Sequence, residues 1–160
     1  MKLLVMSDSH RNIDRMQYAA EKIKPDAIVH LGDHISDAQK LNQQLPDKVF
    51  YMVKGNCDFQ ANGKNELFLT LEGVKIFLTH GHTYGVKTGL AALIERARQL
   101  DADIALYGHT HRPNVRHERG LWLMCPGQME RHDSRHAASY GIVTIENGNF
   151  ECGIEMLPVL

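Results

Sequence analysis

Five short segments of this chain carry side chains suited to coordination chemistry: Asp8-Ser9-His10, Gly32-Asp33, Gly55-Asn56-Cys57-Asp58, His80-Gly81-His82 and Gly108-His109-Thr110-His111. Carboxylate, imidazole and amide oxygen together suit Mn, Fe, Zn, Co or Ni better than calcium, which takes oxygen ligands alone. The candidates outnumber what one cation can use, and a carboxylate has two oxygens with which to bridge a pair. Two cations about 3.5–4 Å apart can clamp a phosphoryl group and stabilise both the attacking and the departing oxygen. They also depress the pKa of bound water far enough to make it a nucleophile near neutral pH. A lone Asp or His after a strand is usually a turn or capping residue. Here it is the ordered set that points to metal.

Each segment follows an apolar run, at residues 2–6, 27–31, 49–53, 74–79 and 104–107. Ligands of open α/β sheets bind beyond the carboxyl ends of the strands, so five strand ends could build one cluster from distant pieces of chain. Between the first runs, Ile13, Met16, Ala20 and Ile23 recur at helical spacing, with Asn12 as N-cap and Pro25 as stop. A weaker helix is predicted over 36–45, and a third, capped by Thr88, carries the stripe Leu90, Leu93, Ile94, Ala97 and Leu100. That stripe reads as core. Strand, helix, strand, helix, strand implies parallel βαβ units. Residues 66–71 and 74–79 flank Glu72-Gly73 as a hairpin, and strands are predicted at 115–117, 121–124, 140–145 and 150–156, the last two joined at Asn147-Gly148. The expectation is one α/β domain over 1–160, with two sheets face to face and helices outside.

Taken together, the five segments resemble the signature blocks of the calcineurin-like metallophosphoesterases, most closely the small YfcE-type phosphodiesterase branch. The resemblance runs from the first strand to the C-terminal hairpin. It implies a four-layer sandwich, two mixed β-sheets flanked by helices. It also implies that Asp8, His10 and His111 hold one metal while Asn56, His80 and His109 hold the other, with Asp33 bridging. Two divalent ions are expected, Mn first, with Fe, Zn, Ni, Co or Mg accepted. Asp33, Asn56 and His82 are the catalytic candidates, and His82 is divided between contacting substrate and supporting the ligands. The implied reaction is attack of a metal-bound hydroxide on a small phosphodiester. A phosphomonoesterase is the alternative, as is a non-catalytic scaffold like the retromer subunit of this fold. Ligand-competent side chains at every implied metal position favour catalysis.

Composition narrows the field. A formal net charge of -1 argues against broad binding to extended nucleic acid or an anionic membrane. No apolar stretch approaches the ~20 residues that span a bilayer, and the N-terminal residues read as a strand rather than a signal peptide. The three cysteines, Cys57, Cys125 and Cys152, suit reduced thiols in a cytoplasm. Relatives are often oligomers, but no homo-oligomer interface is legible.

The chain departs from larger relatives at Cys57, where those carry a histidine thought to protonate the leaving group. The YfcE-type branch shares the cysteine. It departs again at Cys125-Pro126-Gly127-Gln128, where Asn-Pro-Gly-Ser is usual. Arg131 and Arg135 could meet a substrate phosphate, against the blander reading of a solvated loop. Asp58 is expected to orient the Asn56 loop and His30 to be packed, while His34, His117, His132 and His136 read as exposed.

Overall fold

The computed structural model describes residues 1–130 and 137–158. In the first sheet, β1 (Lys2–Met6), β2 (Ala27–His30) and β3 (Val49–Met52) run parallel, with Leu4 opposite Ile28 and Ile28 opposite Phe50. The C-terminal hairpin of β9 (Ser139–Glu146) and β10 (Asn149–Met156) adds antiparallel to β1, giving the order β10-β9-β1-β2-β3. The second sheet contains β4 (Glu66–Leu71), β5 (Val74–Thr79), β6 (Ile104–Leu106), β7 (Asn114–Glu118) and β8 (Leu121–Cys125) in the order β4-β5-β6-β8-β7. Its centre, β5-β6-β8, is parallel, and antiparallel partners close both edges.

Side-chain alternation assigns the layers. Leu3 and Val5 of β1 point toward the second sheet and, with Val29 and Leu31, pack on Ile76, Leu78, Ile104 and Leu106. Leu4 and Met6 point the other way, onto α1 (Ile13–Ile23) and α2 (Ile35–Gln44), where Met16, Ala19, Ala38 and Leu41 are buried. Phe77, Ala105 and Leu123 of the second sheet cover Leu93, Ile94 and Ala97 of α3 (Ala91–Gln99). The result is helix, sheet, sheet, helix, the four-layer α/β sandwich with two mixed sheets that the resemblance implied. Central strands buried on both faces explain why they read as continuous apolar runs.

Helix ends differ in detail from the expectation. Asn12 does precede α1, yet its amide donates to the Ser9 and His10 carbonyls instead of capping the helix. The other end is closed by Lys24 in a left-handed conformation (φ 50°), its N–H bonded to Ala20 O, with Pro25 following. Thr88 is not an N-cap. Its hydroxyl donates to Gly85 O at 2.9 Å, which ties it into the preceding turn, and α3 begins three residues later at Ala91. No described helix is long and apolar enough to cross a membrane.

Candidate metal centre

The loops after β1, β2, β3, β5 and β6 meet at one edge of the sandwich. Asp8 N–H donates to Gly32 O and Gly108 N–H to His80 O, both at 3.0 Å, knitting neighbouring strand ends within each sheet. His109 N–H donates across the sheets to Asp8 Oδ2 at 3.1 Å. Asp8, His10, Asp33, His109 and His111 all have positive φ, between 42° and 71°. Non-glycine residues seldom adopt this region, and such conformations cluster at sites where side chains must be aimed. Two glycines make the packing possible. A Cβ on Gly55 would lie 2.1 Å from Asp33 Oδ1, and one on Gly108 would lie 2.1 Å from Ser7 Oγ and 3.0 Å from Asp8 Oδ2.

The converging side chains form two groups, Asp8–His10–His111 and Asp33–His80–His109, each with its potential ligand atoms within 4.8 Å of one another. Asn56 joins the second, its Oδ1 3.1 Å from His80 Nε2. Asp33 lies between them: Oδ1 is 3.5 Å from His80 Nε2 and Oδ2 is 3.9 Å from His10 Nε2. Every residue expected to hold metal is therefore at this edge. His82 flanks the second group, with its ring 5.3 Å from that of His80 and 6.1 Å from that of His109.

The hydrogen bonding points lone pairs into both groups. His80 Nδ1–H donates to Leu31 O at 2.7 Å, so Nε2 of the neutral ring is an acceptor. It faces Asn56 Oδ1 and Asp33 Oδ1, which are also acceptors, with His109 Nδ1 at 3.2 Å. Clustered acceptors repel one another unless a cation lies among them. In the other group, Asp8 Oδ2 accepts the Ser7 hydroxyl at 2.5 Å in addition to His109 N–H. Asp8 Oδ1 and His10 Nε2 are buried without a hydrogen-bond partner among the described residues, and His111 Nε2 faces that oxygen at 3.0 Å as an ion-pair neighbour. Buried polar atoms are nearly always satisfied, so these orphans fit a divalent cation. His82 Nδ1 is unpartnered in the same way.

Electrostatics favour the ligating forms at most of these positions. Burial opposes ionisation of Asp8, but His111, His80 and the Ser7 hydroxyl outweigh it and hold the carboxyl below its ordinary value. Burial, with the neighbouring His80 and Lys87 acting in the same direction, pulls His109 down to about 4, keeping its ring neutral. His82 is lowered by burial and by His80. His111 goes the other way, raised by Asp8 against the effect of burial. The Cys57 thiol is pushed up to about 11 by burial and the nearby carboxylates, Asp33 foremost.

Beneath the ligands is a buried polar layer that sequence reading did not find. Gly32 N–H donates to His30 Nδ1, so His30 Nε2–H donates to Ser9 Oγ, and the Ser9 hydroxyl donates to Asp37 Oδ2 at 2.8 Å. Asp37 also accepts Arg11 N–H at 2.7 Å, which fixes the turn carrying Asp8 and His10. The only hint in the sequence was an acidic residue in the first turn of α2. Asp58 does orient the Asn56 loop, accepting N–H groups from Gly55 and Ile35 at 2.9 and 3.0 Å. His30 is packed as expected. His34, however, is only half-exposed, with its ring 4.8 Å from that of His10, because the turn after β2 folds back on the Asp8 loop. His117 is exposed. Arg131, His132, Arg135 and His136 lie outside the described residues.

Residues 1–148 match the family model for the calcineurin-like phosphoesterase superfamily domain. The chain is 36% identical over 149 residues to "Probable metallophosphoesterase YsnB" of Bacillus subtilis, covering 92% of this chain and 86% of that protein. It is 28% identical over 169 residues to phosphodiesterase YfcE of Escherichia coli K12, covering 89% and 87%. Among solved structures, a conserved uncharacterized protein from Streptococcus pneumoniae TIGR4, described as a predicted phosphoesterase, superposes with TM-score 0.79 at 28% identity, covering 97% of this chain and 88% of that one. The fold is shared with Vps29 of Entamoeba histolytica complexed with Zn²⁺, with TM-score 0.75 at 21% identity and coverage of 98% and 99%.

Proposed function

The chain belongs to the calcineurin-like phosphoesterase superfamily, and from that premise we propose that it hydrolyses a small phosphodiester with the help of two divalent cations. In this reading Asp8, His10 and His111 hold one ion, Asn56, His80 and His109 the other, and Asp33 bridges them. The observation that carries it is the position of Asp33, with one oxygen directed to each group of candidate ligands. Such a cation pair, Mn²⁺ by first preference, would lower the pKa of a water and offset charge on the phosphoryl group. The chain's own residues supply the rest. Leu31 O fixes the tautomer of His80, Ser7 and His109 N–H set the rotation of Asp8, and Asn56 and His82 face the substrate.

Homology to a phosphodiesterase supports a diester over a monoester. The three cysteines are free, which supports a cytoplasmic setting. A binding scaffold is the second reading, favoured by the fold shared with Vps29. The test is a screen of phosphodiesters and phosphomonoesters against Mn²⁺, Fe²⁺, Zn²⁺, Ni²⁺, Co²⁺ and Mg²⁺, with metal content measured on the same protein. Turnover of diesters that falls by orders of magnitude in Asp33→Asn, with the fold retained, is the expected result. Unchanged turnover in Asp33→Asn overturns the mechanism, and bound metal without hydrolysis of either ester class selects the scaffold.

A further inference from the structure

A cleft of 470 Å³ adjoins the candidate metal centre on the side of the second sheet. One wall is the segment after His80-Gly81-His82: Val86 folds back so closely that a Cβ on Gly81 would lie 2.9 Å from its Cγ2. The other wall includes Thr110, the residue between His109 and His111. The His109–His111 turn thus borders it through Thr110, while the His80–His82 segment lies behind Val86. Val86 and Leu90 give it an apolar side, and Asn114 a polar one. Its volume is within the range of small-molecule sites.

Two exposed cations, Lys87 and Arg112, line this cleft. The Lys and Arg ion pairs among the described residues involve Lys22, Lys75, Arg96 and Arg116 instead. The Arg112 backbone N–H is held by Thr110 Oγ1 at 3.3 Å, which ties the base of that side chain to the His109–His111 turn. A guanidinium and an ammonium beside a phosphoester site can pair with an anionic group separate from the phosphate being cleaved. A second cleft, 740 Å³ across α3 and β7, differs in charge: it offsets Arg98 and Arg116 with Glu95 and Glu118.

We infer that this cleft is a specificity subsite for one ester arm of the substrate, accepting a short apolar body that ends in a second anionic group, a phosphate or a carboxylate. The inference rests on the proposed reading of the metal centre, which would hold the scissile phosphate while Lys87 and Arg112 hold the far anion.

Binding can be measured without turnover, by calorimetry on the full chain loaded with Mn²⁺. The probes are propyl phosphate, propane-1,3-diyl bisphosphate and 4-phosphooxybutanoate, which share one phosphate and differ in the far end. At least one of the two longer-charged probes is expected to bind about tenfold tighter than propyl phosphate, the worth of a charge-assisted pair. Which one does so identifies phosphate or carboxylate as the second anion. That ratio should fall toward one in the Lys87→Ala/Arg112→Ala double variant and persist in Lys24→Ala, which removes a cation from the end of α1 farthest from the site. Equal affinity of all three probes in the unmodified protein overturns the subsite while leaving the metal reading intact. A ratio that survives the double variant also overturns it. If no probe binds the Mn²⁺-loaded chain, the subsite and the role of the metal centre as the phosphate site are both overturned.

Discussion

At the scale of single residues, the candidate site is a set of protonation states fixed by neighbours. Cys57 illustrates the consequence. Its thiol is held protonated, with a pKa near 11, at the position where larger relatives place a histidine, so it is a weak match for donating a proton near neutral pH. Hydrolysis of a series of aryl and alkyl phosphodiesters should therefore fall steeply as the leaving-group pKa rises. Cys57→His should flatten that dependence by helping the poorest leaving groups most. A flat dependence in the unmodified protein, measured in the chemical step, would count against this. His30 makes a second prediction, about stability. Burial lowers it to about 4, so as pH drops below its ordinary value of 6.5 the unfolded chain takes up a proton that the folded chain refuses. Stability due to this group is thus full above pH 6.5 and declines between 6.5 and 4, by at most about 1.4 kcal/mol per pH unit. His109 is lowered too and acts in the same direction, while His111 is raised and opposes it. Urea unfolding at pH 7, 6 and 5 in the presence of a chelator should show stability falling with pH, and His30→Gln should show a shallower fall. A slope that His30→Gln leaves unchanged would falsify the assignment.

At the scale of elements, the turns after the strands are where tolerance to substitution should differ most. A Cβ on Gly108 would collide with Ser7 Oγ and crowd Asp8, whereas Gly153 on β10 has nothing within 4 Å of where its Cβ would be. Gly108→Ala is expected to destabilise by about 1–3 kcal/mol, as overpacking does, and to weaken metal binding by displacing Asp8. Gly153→Ala should change stability by less than about 0.5 kcal/mol, as surface substitutions usually do. Thermal unfolding and metal titration of both variants test the contrast, which fails if the two behave alike. The same turns explain what could be read from the sequence. Apolar runs followed by Asp, His or Asn were legible because strand and ligand lie within a few residues of each other. Thr88 was misassigned because its hydroxyl donates to Gly85 O in the preceding turn and α3 begins only at Ala91, which leaves Leu90 at the N-cap position. Ser7, Ser9, His30 and Asp37 were not recognised as supports for the ligands. Ser7 is next to Asp8 in the sequence, but Ser9, His30 and Asp37 come together only when β1, β2 and α2 pack, Ser9 and Asp37 being 28 positions apart. The pairing of β9 with β1 was illegible for the same reason, since it joins the two ends of the chain.

At the scale of the whole molecule, the two groups of candidate ligands have one property in common: each draws on both sheets. Asp8 and His10 follow β1 of the first sheet, while His111 follows β6 of the second; Asp33 follows β2, while His80 and His109 follow β5 and β6. Between the sheets, the contact is built mainly on apolar, non-directional packing of Leu3, Val5, Val29, Ile76, Leu78 and Leu106, with the Met1 ammonium 3.4 Å from Glu72 at the opposite end. A cation in either group would therefore act as a clip across the sandwich at the edge where the candidate ligands replace that packing. Because it would bind the folded chain and find no preformed site in the unfolded one, its binding energy adds to stability. At a free Mn²⁺ concentration of about 100 times the dissociation constant, one site contributes about 2.7 kcal/mol, or about 5–10 °C in Tm for a chain of this length. Calorimetric scans with Mn²⁺ and with excess chelator should differ by at least that much. The gain should shrink in Asp33→Asn, which weakens the carboxylate shared between the groups, and amide exchange should slow on Mn²⁺ binding at the C-terminal ends of β1 and β6 together. Protection confined to one sheet, or a Tm indifferent to Mn²⁺, would mean that the two sets of side chains do not share cations.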